Sequence, residues 1–458
     1  MKGIVFVPGI SGSEIIFRNE APPIWPPKWN DFPTYQEMDE LCDPTEDTVG
    51  NVIDTVAGLY PVYQTTENDL QNISATINGV ANGPYLPAPY DWRIDLLTVV
   101  DDVANKIEAF ANSSGMTDIT IVSHSMGGLL TRLLFEWKYA NNPPPWLAKI
   151  RRALFICTPH LGAPAALARI LGLEWAETVI TPADMKRFAD DPNFPSTYEL
   201  LPSATRGILL DTTTSEYIRY DDPNVASALG MSSLNIGAAQ KCRQALDPSK
   251  KPTNVNYIFV YGTGHATDEY VTVQGLSLNG ATPQQDGLGD GSVPIWSITE
   301  AAAQFVPNVQ TKSFVGDHVG ILTTDEFRQF LYGYFGLGAP APLVKGAPGM
   351  VVSLNKRSFA PGETMHVLMI PDEEASVVSG SLNLSRVSPA NKEVSVLGVR
   401  QEVTFRGGPA RYLTSKLTAP KTPGLYRLDF GGTGASHQTS NEVAGWFVVR
   451  RTSGIGNN

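Results

Sequence analysis

The chain is poor in cysteine, in positive charge and in long hydrophobic runs. Three cysteines among 458 residues give no disulfide framework, and Cys157, in an apolar strand candidate, is expected to be a core residue. The net charge of −12 argues against a nucleic-acid partner, which needs a basic face. No apolar run approaches the ~20 residues that span a bilayer, so we expect a soluble protein, with contact at an apolar membrane interface left open.

The N-terminus also lacks an export signal. Gly3–Val7 has the pattern of a buried strand, without a basic start, an apolar stretch and a small-residue cleavage site. We therefore expect a cytoplasmic protein, unless the numbering begins after a removed leader.

Short apolar runs alternate with helical patterns through residues 1–340. Leucine, valine and isoleucine recur at helical spacing from Leu96 to Phe110, where Gly115 is expected to end the helix, and again from Leu129 to Leu134. Continuous apolar runs are typical of parallel strands that are covered on both faces. The candidate strands are Gly3–Val7, Ile119–Val122, Ala153–Ile156, Asn256–Tyr261 and Lys312–Val315. This alternation predicts an α/β sheet.

Two long segments interrupt this pattern, one of about residues 20–65 and one of about residues 165–250. Insertions in a compact α/β domain often form lids or substrate-binding loops, so we expect a cap over a site. The alternative is packing without a functional role.

The last part of the chain has a different pattern. Gly333–Gly349 is rich in Gly, Ala and Pro, which is typical of a linker. Beyond it, short strand candidates are separated by turn pairs such as Pro361-Gly362 and Pro423-Gly424. These features predict a smaller all-β, immunoglobulin-like sandwich at residues 346–452, after an α/β domain at residues 1–340.

Ser125 lies in a motif typical of a catalytic nucleophile. Ser123-His124-Ser125-Met126-Gly127-Gly128 follows one strand candidate and opens a helix, which is the context of a nucleophile elbow in the α/β-hydrolase fold. Gly127 leaves room for the strand and helix to pass closely. Ser123 replaces the first glycine of the usual motif and is small enough for that position.

A serine nucleophile needs a base, and six histidines allow elimination. His124 is inside the elbow, and His366 and His437 lie in the predicted sandwich. His160 and His265 precede any acid that would keep the Ser–Asp–His order of this fold. His318 remains, on a loop after the last α/β strand.

Asp290, between Gly289 and Gly291, is the candidate acid that orients His318. Asp286 is its competitor, and the glycine-rich turns around both aspartates leave calcium binding as an alternative. Asp317 is adjacent to His318 in sequence and is a poor candidate for orienting it. The oxyanion hole is expected to use the backbone N–H groups of Met126 and Ile10. This chemistry requires no metal and no cofactor.

Several motifs, in order along residues 1–335, resemble the lecithin:cholesterol acyltransferase family, which includes lysosomal phospholipase A2 and phospholipid:diacylglycerol acyltransferases. They are Val7–Ser13, Ala88–Arg93, Thr158–Pro164, Pro195-Ser196 with Leu200–Pro202, Tyr261–Gly264 with Thr267 and Tyr270, Gly289–Pro294, and His318. The resemblance implies action on acyl esters, often lipids, through an acyl-enzyme. It also puts Ile10 at the oxyanion position.

The candidate substrate contacts are Tyr90 and, in the cap, Trp175 and Phe188; for Tyr90 a structural role is favoured and lining of the pocket is the functional alternative. Asp91 and Arg93 are expected to form a buried ion pair that supports nearby loops. The substrate is expected to be a small-molecule or lipid ester. A carboxylesterase or lactonase acting on a bulky non-lipid ester is the alternative enzyme, and a non-catalytic lipid- or glycan-binding protein is the alternative class.

Every candidate catalytic residue lies within residues 1–340. If the sandwich is only loosely joined to them, a shortened chain of these residues is expected to cleave a small soluble ester at a rate within about tenfold of the full chain.

Overall fold

A computed structural model describes residues 1–28, 35–43, 47–56, 60–113, 115–176, 179–341, 350–388, 394–432 and 445–450. Its centre is a sheet of six parallel strands in the order β6-β5-β4-β3-β1-β2. The strands are β1 (Lys2–Val7), β2 (Tyr85–Pro87), β3 (Asp118–His124), β4 (Ile150–Ile156), β5 (Asn256–Thr263) and β6 (Gln310–Val315). The five strands expected from sequence are all present, and β2 is an additional edge strand.

Helices cover both faces of this sheet, because its strands carry apolar side chains on both sides. In β1, Val5 and Val7 belong to one hydrophobic core, whereas Ile4 and Phe6 belong to a second one. The principal helices of this part are Gln64–Asn78, Leu96–Ala111, Met126–Leu133, Ile295–Ala303 and Asp325–Tyr334. The parallel sheet with helices on both faces confirms the α/β-hydrolase fold.

Two helix ends differ from the sequence expectation. The helix that begins at Leu96 ends at Ala111 with Asn112 as its cap, so Gly115 does not terminate it. The helix Asp325–Tyr334 continues past Gly333, where the linker was expected to begin. Residues 342–349 of that linker lie outside the described residues.

The two insertions fold over the C-terminal edge of the central sheet. The aromatic rings of Trp25 and Trp92 are 5.4 Å apart, and those of Trp92 and Phe188 are 5.9 Å apart, so they join the first insertion to the second. The helices of the second insertion are Ala165–Ile170, Pro182–Asp190, Ser196–Glu199, Pro223–Ala228 and Ser233–Ala245. Parts of the first insertion, residues 29–34, 44–46 and 57–59, lie outside the described residues.

Smaller elements complete this part of the chain. A four-stranded sheet is formed by Leu209–Asp211, Glu216–Tyr217, Tyr270–Gln274 and Ser277–Gln284. Three strand pairs are Ser13–Ile16 with Thr48–Val52, Thr55–Val56 with Tyr60–Pro61, and His265–Thr267 with Gly287–Gly289. Short helical segments are Phe17–Asn19, Met38–Leu41, Leu134–Lys138, Pro145–Lys149, Ala204–Arg206, Pro248–Lys250 and Gly320–Thr323.

The C-terminal strands form two sheets, β7-β9-β12 and β8-β14-β13-β10-β11. They are β7 (Met350–Leu354), β8 (Ser358–Phe359), β9 (Thr364–Pro371), β10 (Ala375–Val387), β11 (Val394–Ala410), β12 (Leu413–Thr418), β13 (Gly424–Gly432) and β14 (Gly445–Val449). Side chains from both sheets, among them Leu354, Met369, Leu428 and Phe447, form a separate core. His437 lies outside the described residues. Within the part of the chain that is described, no helix is both long and apolar enough to cross a membrane.

Candidate active site

Ser125 occupies the sharp turn between β3 and the helix Met126–Leu133. Its φ and ψ of 52° and −126° are strained for a residue with a side chain. The turn is held by a 2.8 Å hydrogen bond from Ser125 N–H to the carbonyl oxygen of Ile156. A Cβ atom at Gly127 would overlap the carbonyl oxygen of Pro8, so a glycine is needed there. The geometry is therefore that of a nucleophile elbow.

Ser125, His318 and Asp290 lie in hydrogen-bonding contact. His318 Nε2 is 2.9 Å from Ser125 Oγ, and His318 Nδ1 is 2.7 Å from Asp290 Oδ2. The backbone N–H of His318 also donates to the carbonyl oxygen of Asp290, at 2.9 Å. Asp290 is almost completely buried, whereas 18% of the His318 side chain is exposed to the pocket described below. The structure thus brings together the three residues selected from sequence.

The Asp290 carboxylate is held in its charged form. Burial disfavours the charge, but His318 and the backbone N–H groups of Val293 and Ser292 outweigh this effect and lower the pKa of Asp290. These two N–H groups donate to Oδ1 at 2.7 and 2.9 Å, so Oδ2 is left for His318. Asp286 is exposed and accepts a hydrogen bond from the Tyr270 hydroxyl at 3.0 Å, outside this arrangement.

A second histidine, His124, supports the backbone of His318 and was not selected from sequence. His124 Nε2 donates to the carbonyl oxygen of His318 at 2.9 Å, and its Nδ1 accepts from the Tyr63 hydroxyl at 2.8 Å. The Tyr63 oxygen in turn accepts the backbone N–H of Gly9 at 2.9 Å. Burial lowers the pKa of His124 to about 3, so the ring is neutral and its single proton must be on Nε2.

The loop after β1 passes directly beside the nucleophile. A Cβ atom at Gly9 would lie 2.9 Å from Ser125 Cβ, and the next residue, Ile10, lines the pocket. Met126 is the first residue of its helix, so its N–H has no acceptor in a preceding turn. Both candidate oxyanion donors therefore belong to backbone that adjoins Ser125.

Ser125 and His318 open onto a cavity of about 590 Å³. One wall is apolar and comes mainly from the two insertions, including Trp25, Trp92, Leu173, Trp175, Met185 and Phe188. Trp175 and Phe188 therefore line the pocket. Tyr90 does not, and the alternative that it lines the pocket is wrong. Its side chain is fully buried, and its hydroxyl donates to the carbonyl oxygen of Pro8 at 3.0 Å, which supports the loop after β1.

Another part of the cavity wall is charged, which the sequence did not predict. Its residues come from the second insertion, from the segment after β5 and from the C-terminal strands: Arg169, Glu174, Asp268, Lys356, Glu363 and Arg450. Glu363 pairs with Lys356 at 2.5 Å and with Arg450 at 3.2 Å. Burial, followed by the charge of Glu174, raises the pKa of Asp268 to about 7. The pocket therefore presents both apolar and ionisable side chains, and the two groups meet where Arg450 lies 5.6 Å from the ring of Trp175.

Arg93 and Asp91 form the ion pair expected from sequence. Arg93 Nη2 lies 2.8 Å from Asp91 Oδ2, and Arg93 Nη1 lies 2.8 Å from Asp47 Oδ2 in the first insertion. Arg93 is 2% exposed, so this pair fixes the insertion from within the protein.

The C-terminal strands are not loosely joined to the rest of the chain. Ser353 and Arg357 both form hydrogen bonds with Asp317, the residue before His318. Val315 at the end of β6 packs against Leu368 and Ile370 of β9. These contacts differ from the loose junction assumed for a shortened chain of residues 1–340, because the C-terminal strands contact the loop that carries His318.

Comparison with known proteins shows similarity to one family over part of the chain. Residues 55–228 match the profile named "Lecithin:cholesterol acyltransferase". The chain is 26% identical over 313 residues to lecithin-cholesterol acyltransferase-like 4 of Arabidopsis thaliana, a match that covers 55% of each protein. It is 29% identical over 119 residues to phospholipid:diacylglycerol acyltransferase of Schizosaccharomyces pombe, covering 24% of this chain and 18% of that one.

A solved structure from Listeria innocua, the product of the gene lin2722, is 12% identical. It covers 75% of this chain and 96% of its own, with a TM-score of 0.32. The chain spans about half the length of the Arabidopsis relative. Over residues 55–228 the chain is therefore similar to the lecithin:cholesterol acyltransferase family.

Proposed function

We propose that the protein cleaves carboxylic esters through an acyl-enzyme on Ser125, with His318 as base, Asp290 as the orienting acid and acyl transfer to an alcohol as a second outcome. The observation that supports this most is the pair of contacts of His318, 2.9 Å from Ser125 Oγ and 2.7 Å from Asp290 Oδ2. A serine hydroxyl becomes an effective nucleophile when a correctly oriented imidazole can accept its proton.

In the proposed reaction, Ser125 Oγ attacks the ester carbonyl while His318 Nε2 takes the hydroxyl proton. Asp290 stabilises the resulting imidazolium through Nδ1. The carbonyl oxygen, now an oxyanion, accepts hydrogen bonds from the N–H groups of Ile10 and Met126. His318 then protonates the leaving alcohol, and water or an acceptor alcohol attacks the acyl-enzyme by the reverse sequence. No step requires a metal or cofactor.

The two walls of the cavity suggest the type of ester. The apolar wall formed by the insertions suits an acyl chain, and the charged wall suits a polar alcohol portion. A lipid ester has both features, and the family relatives are named as acyltransferases of this kind. The charged wall is also the feature that favours the second candidate, a bulky polar ester or lactone.

A substrate panel tests the proposed function. p-Nitrophenyl esters of graded chain length, phospholipid vesicles and macrolactones are each incubated with the protein, and the released alcohol and acid are measured. We expect turnover of p-nitrophenyl esters. Among the larger substrates, the one with the highest kcat/KM should show whether the apolar or the charged residues of the pocket determine the substrate. A folded protein that cleaves none of these substrates would contradict the proposal.

The apolar wall is expected to set the preference for acyl chain length. Trp175→Ala should lower kcat/KM for long-chain relative to short-chain p-nitrophenyl esters by about fivefold or more, because a lost aromatic contact exceeds 1 kcal/mol. Phe188 is 3% exposed and stacks on Phe194 at 5.2 Å, so Phe188→Ala should also lower the melting temperature.

Trp137 provides the matched control for this prediction. It is a tryptophan that is 42% exposed and lies away from the cavity. Trp137→Ala should leave the chain-length profile unchanged. If Trp175→Ala instead slows all esters equally and lowers the melting temperature, Trp175 acts in the core and does not select the substrate.

A further inference from the structure

Both loops that carry the acidic and basic members of the site rest on the C-terminal strands. Gly291, next to Asp290, is so close to the segment after β7 that an added Cβ would lie 2.5 Å from the carbonyl oxygen of Asn355. Val315, three residues before His318, packs on Leu368 and Ile370. The position of each loop is thus defined partly by residues outside the α/β part.

Asp317 is the main polar contact at this junction. Ser353 Oγ donates to Asp317 Oδ2 at 2.6 Å and accepts the Asp317 N–H at 3.1 Å. Arg357 Nη2 lies 3.0 Å from both Asp317 carboxylate oxygens. Ser353 and Asp317 are 2% and 6% exposed and the Arg357 side chain is 17% exposed, so the pairing is largely shielded from bulk water at the edge of the cavity. An ion pair of this kind is little weakened by solvent.

The Ser353 hydroxyl is also fixed from the α/β side. Because Ser353 donates its proton to Asp317, its oxygen accepts from His265 Nε2 at 2.7 Å. Burial lowers the pKa of His265 to about 4, so this ring is neutral and donates through Nε2. The Ser353 hydroxyl therefore accepts from His265 Nε2 and from the Asp317 N–H and donates to Asp317 Oδ2, and these three contacts fix its orientation.

Asp317 transmits this fixed position to the turn around His318. Its Oδ1 accepts the N–H of Gly320 at 2.9 Å, and its carbonyl oxygen accepts the N–H of Ile321 at 3.0 Å. His318 lies inside this turn. Burial opposes charge on Asp317, but the charge of Arg357 and the hydrogen bonds from Ser353 and Gly320 outweigh it and lower its pKa to about 2.

We infer that Arg357 and Ser353 are positioning residues for the ester cleavage proposed above. They hold Asp317, and through it the turn bearing His318, in the geometry in which Nε2 reaches Ser125. The C-terminal sheets thereby form part of the catalytic unit. This role rests on the proposed function, because it acts on the base of that reaction. Neither residue contacts the reacting atoms in this role.

Loss of Arg357 should affect turnover more than binding of a small ester. Without the guanidinium, the buried Asp317 carboxylate loses its cationic partner and the main group that stabilises its charge, so the turn must rearrange to hydrate or protonate it. Since small displacements of a catalytic group cost up to about 100-fold, we expect Arg357→Met to lower kcat for p-nitrophenyl acetate about 10- to 100-fold, and KM to change less than about threefold.

The experiment compares variants of the full chain in kcat, KM and melting temperature. Arg357→Lys keeps a charge and should recover part of the lost kcat, which a loss of packing alone would not allow. Ser353→Ala removes one hydroxyl, remains interpretable if Arg357→Met does not fold, and should lower kcat about 3- to 10-fold. The control is Arg411→Met. Arg411 pairs with Glu326 at 2.6 Å across the same two parts of the chain, but both side chains are about half exposed and neither lines the cavity.

The inference predicts that Arg411→Met keeps kcat within about twofold, as expected for an exposed ion pair. The inference is overturned if the folded variants Arg357→Met and Ser353→Ala both keep the wild-type kcat. It is also overturned if Arg411→Met loses the same fraction of kcat as Arg357→Met. Fluorophosphonate labelling of the unsubstituted chain is run in parallel. Absence of labelling at Ser125 would overturn the proposed function itself, and therefore the positioning role that depends on it.

Discussion

Ser125→Ala is expected to abolish ester cleavage and covalent labelling by a fluorophosphonate. The variant keeps the elbow backbone but removes the oxygen that His318 contacts through Nε2. Residual rates should come only from the oxyanion donors and from binding. Removing a triad serine elsewhere lowers kcat by on the order of 10⁶-fold, and a similar loss is expected here. Labelling is measured by mass spectrometry of the intact protein and of its peptides.

Ser123→Ala is the matched control for this variant. Ser123 lies two residues earlier, is fully buried, and donates to the carbonyl oxygen of Leu154 at 3.3 Å. Its loss should lower the melting temperature slightly and leave labelling intact. If the probe still attaches to Ser125→Ala, or is found on another residue of the unsubstituted chain, the central assignment is wrong.

Asp290→Asn should lower kcat by about 10⁴-fold while the fold is kept. The carboxylate accepts the Nδ1 proton of His318 and so leaves Nε2 free to accept the proton of Ser125. An amide at this position can donate to Nδ1 instead, which moves the imidazole proton to Nε2 and blocks that acceptance. The loss should appear in kcat for all esters in the panel, independent of chain length.

Asp286→Asn provides the comparison, since the two aspartates are four residues apart in sequence. Asp286 is exposed and bonded to Tyr270, and its change should alter kcat by less than about twofold, as surface substitutions usually do. A larger loss for Asp286→Asn than for Asp290→Asn would transfer the acid role to Asp286.

The sequence allowed prediction of those site residues that can be recognised from local patterns and chain order. Ser125 follows from a strand, a turn and a helix in succession, and His318 follows from chain order among six histidines. The supporting contacts were missed because they join distant segments. His124 and the carbonyl oxygen of His318 are 194 residues apart, and Asp317 and Arg357 are 40 residues apart. Sequence periodicity contains no information on such pairs.

The errors have similar physical causes. Tyr90 belongs to a conspicuous hexapeptide. A tyrosine ring can nevertheless be buried in the core when its hydroxyl donates to a single carbonyl oxygen, here that of Pro8. Strand β2 is only three residues long and ends in proline, so no apolar run marks it. The long strands β10 and β11 carry many exposed side chains and have three register shifts, which blur their alternation.

One short loop of the C-terminal strands serves two separate requirements. Lys356 and Arg357 both line the cavity, and Arg357 also binds Asp317. A backbone shift that altered the charged wall would therefore also move the guanidinium that supports His318. Changes of substrate preference arising in this loop should be accompanied by changes of turnover, whereas those arising at Trp175 need not be. Natural variation or laboratory evolution would then be more constrained at residues 355–357 than at the apolar residues of the pocket.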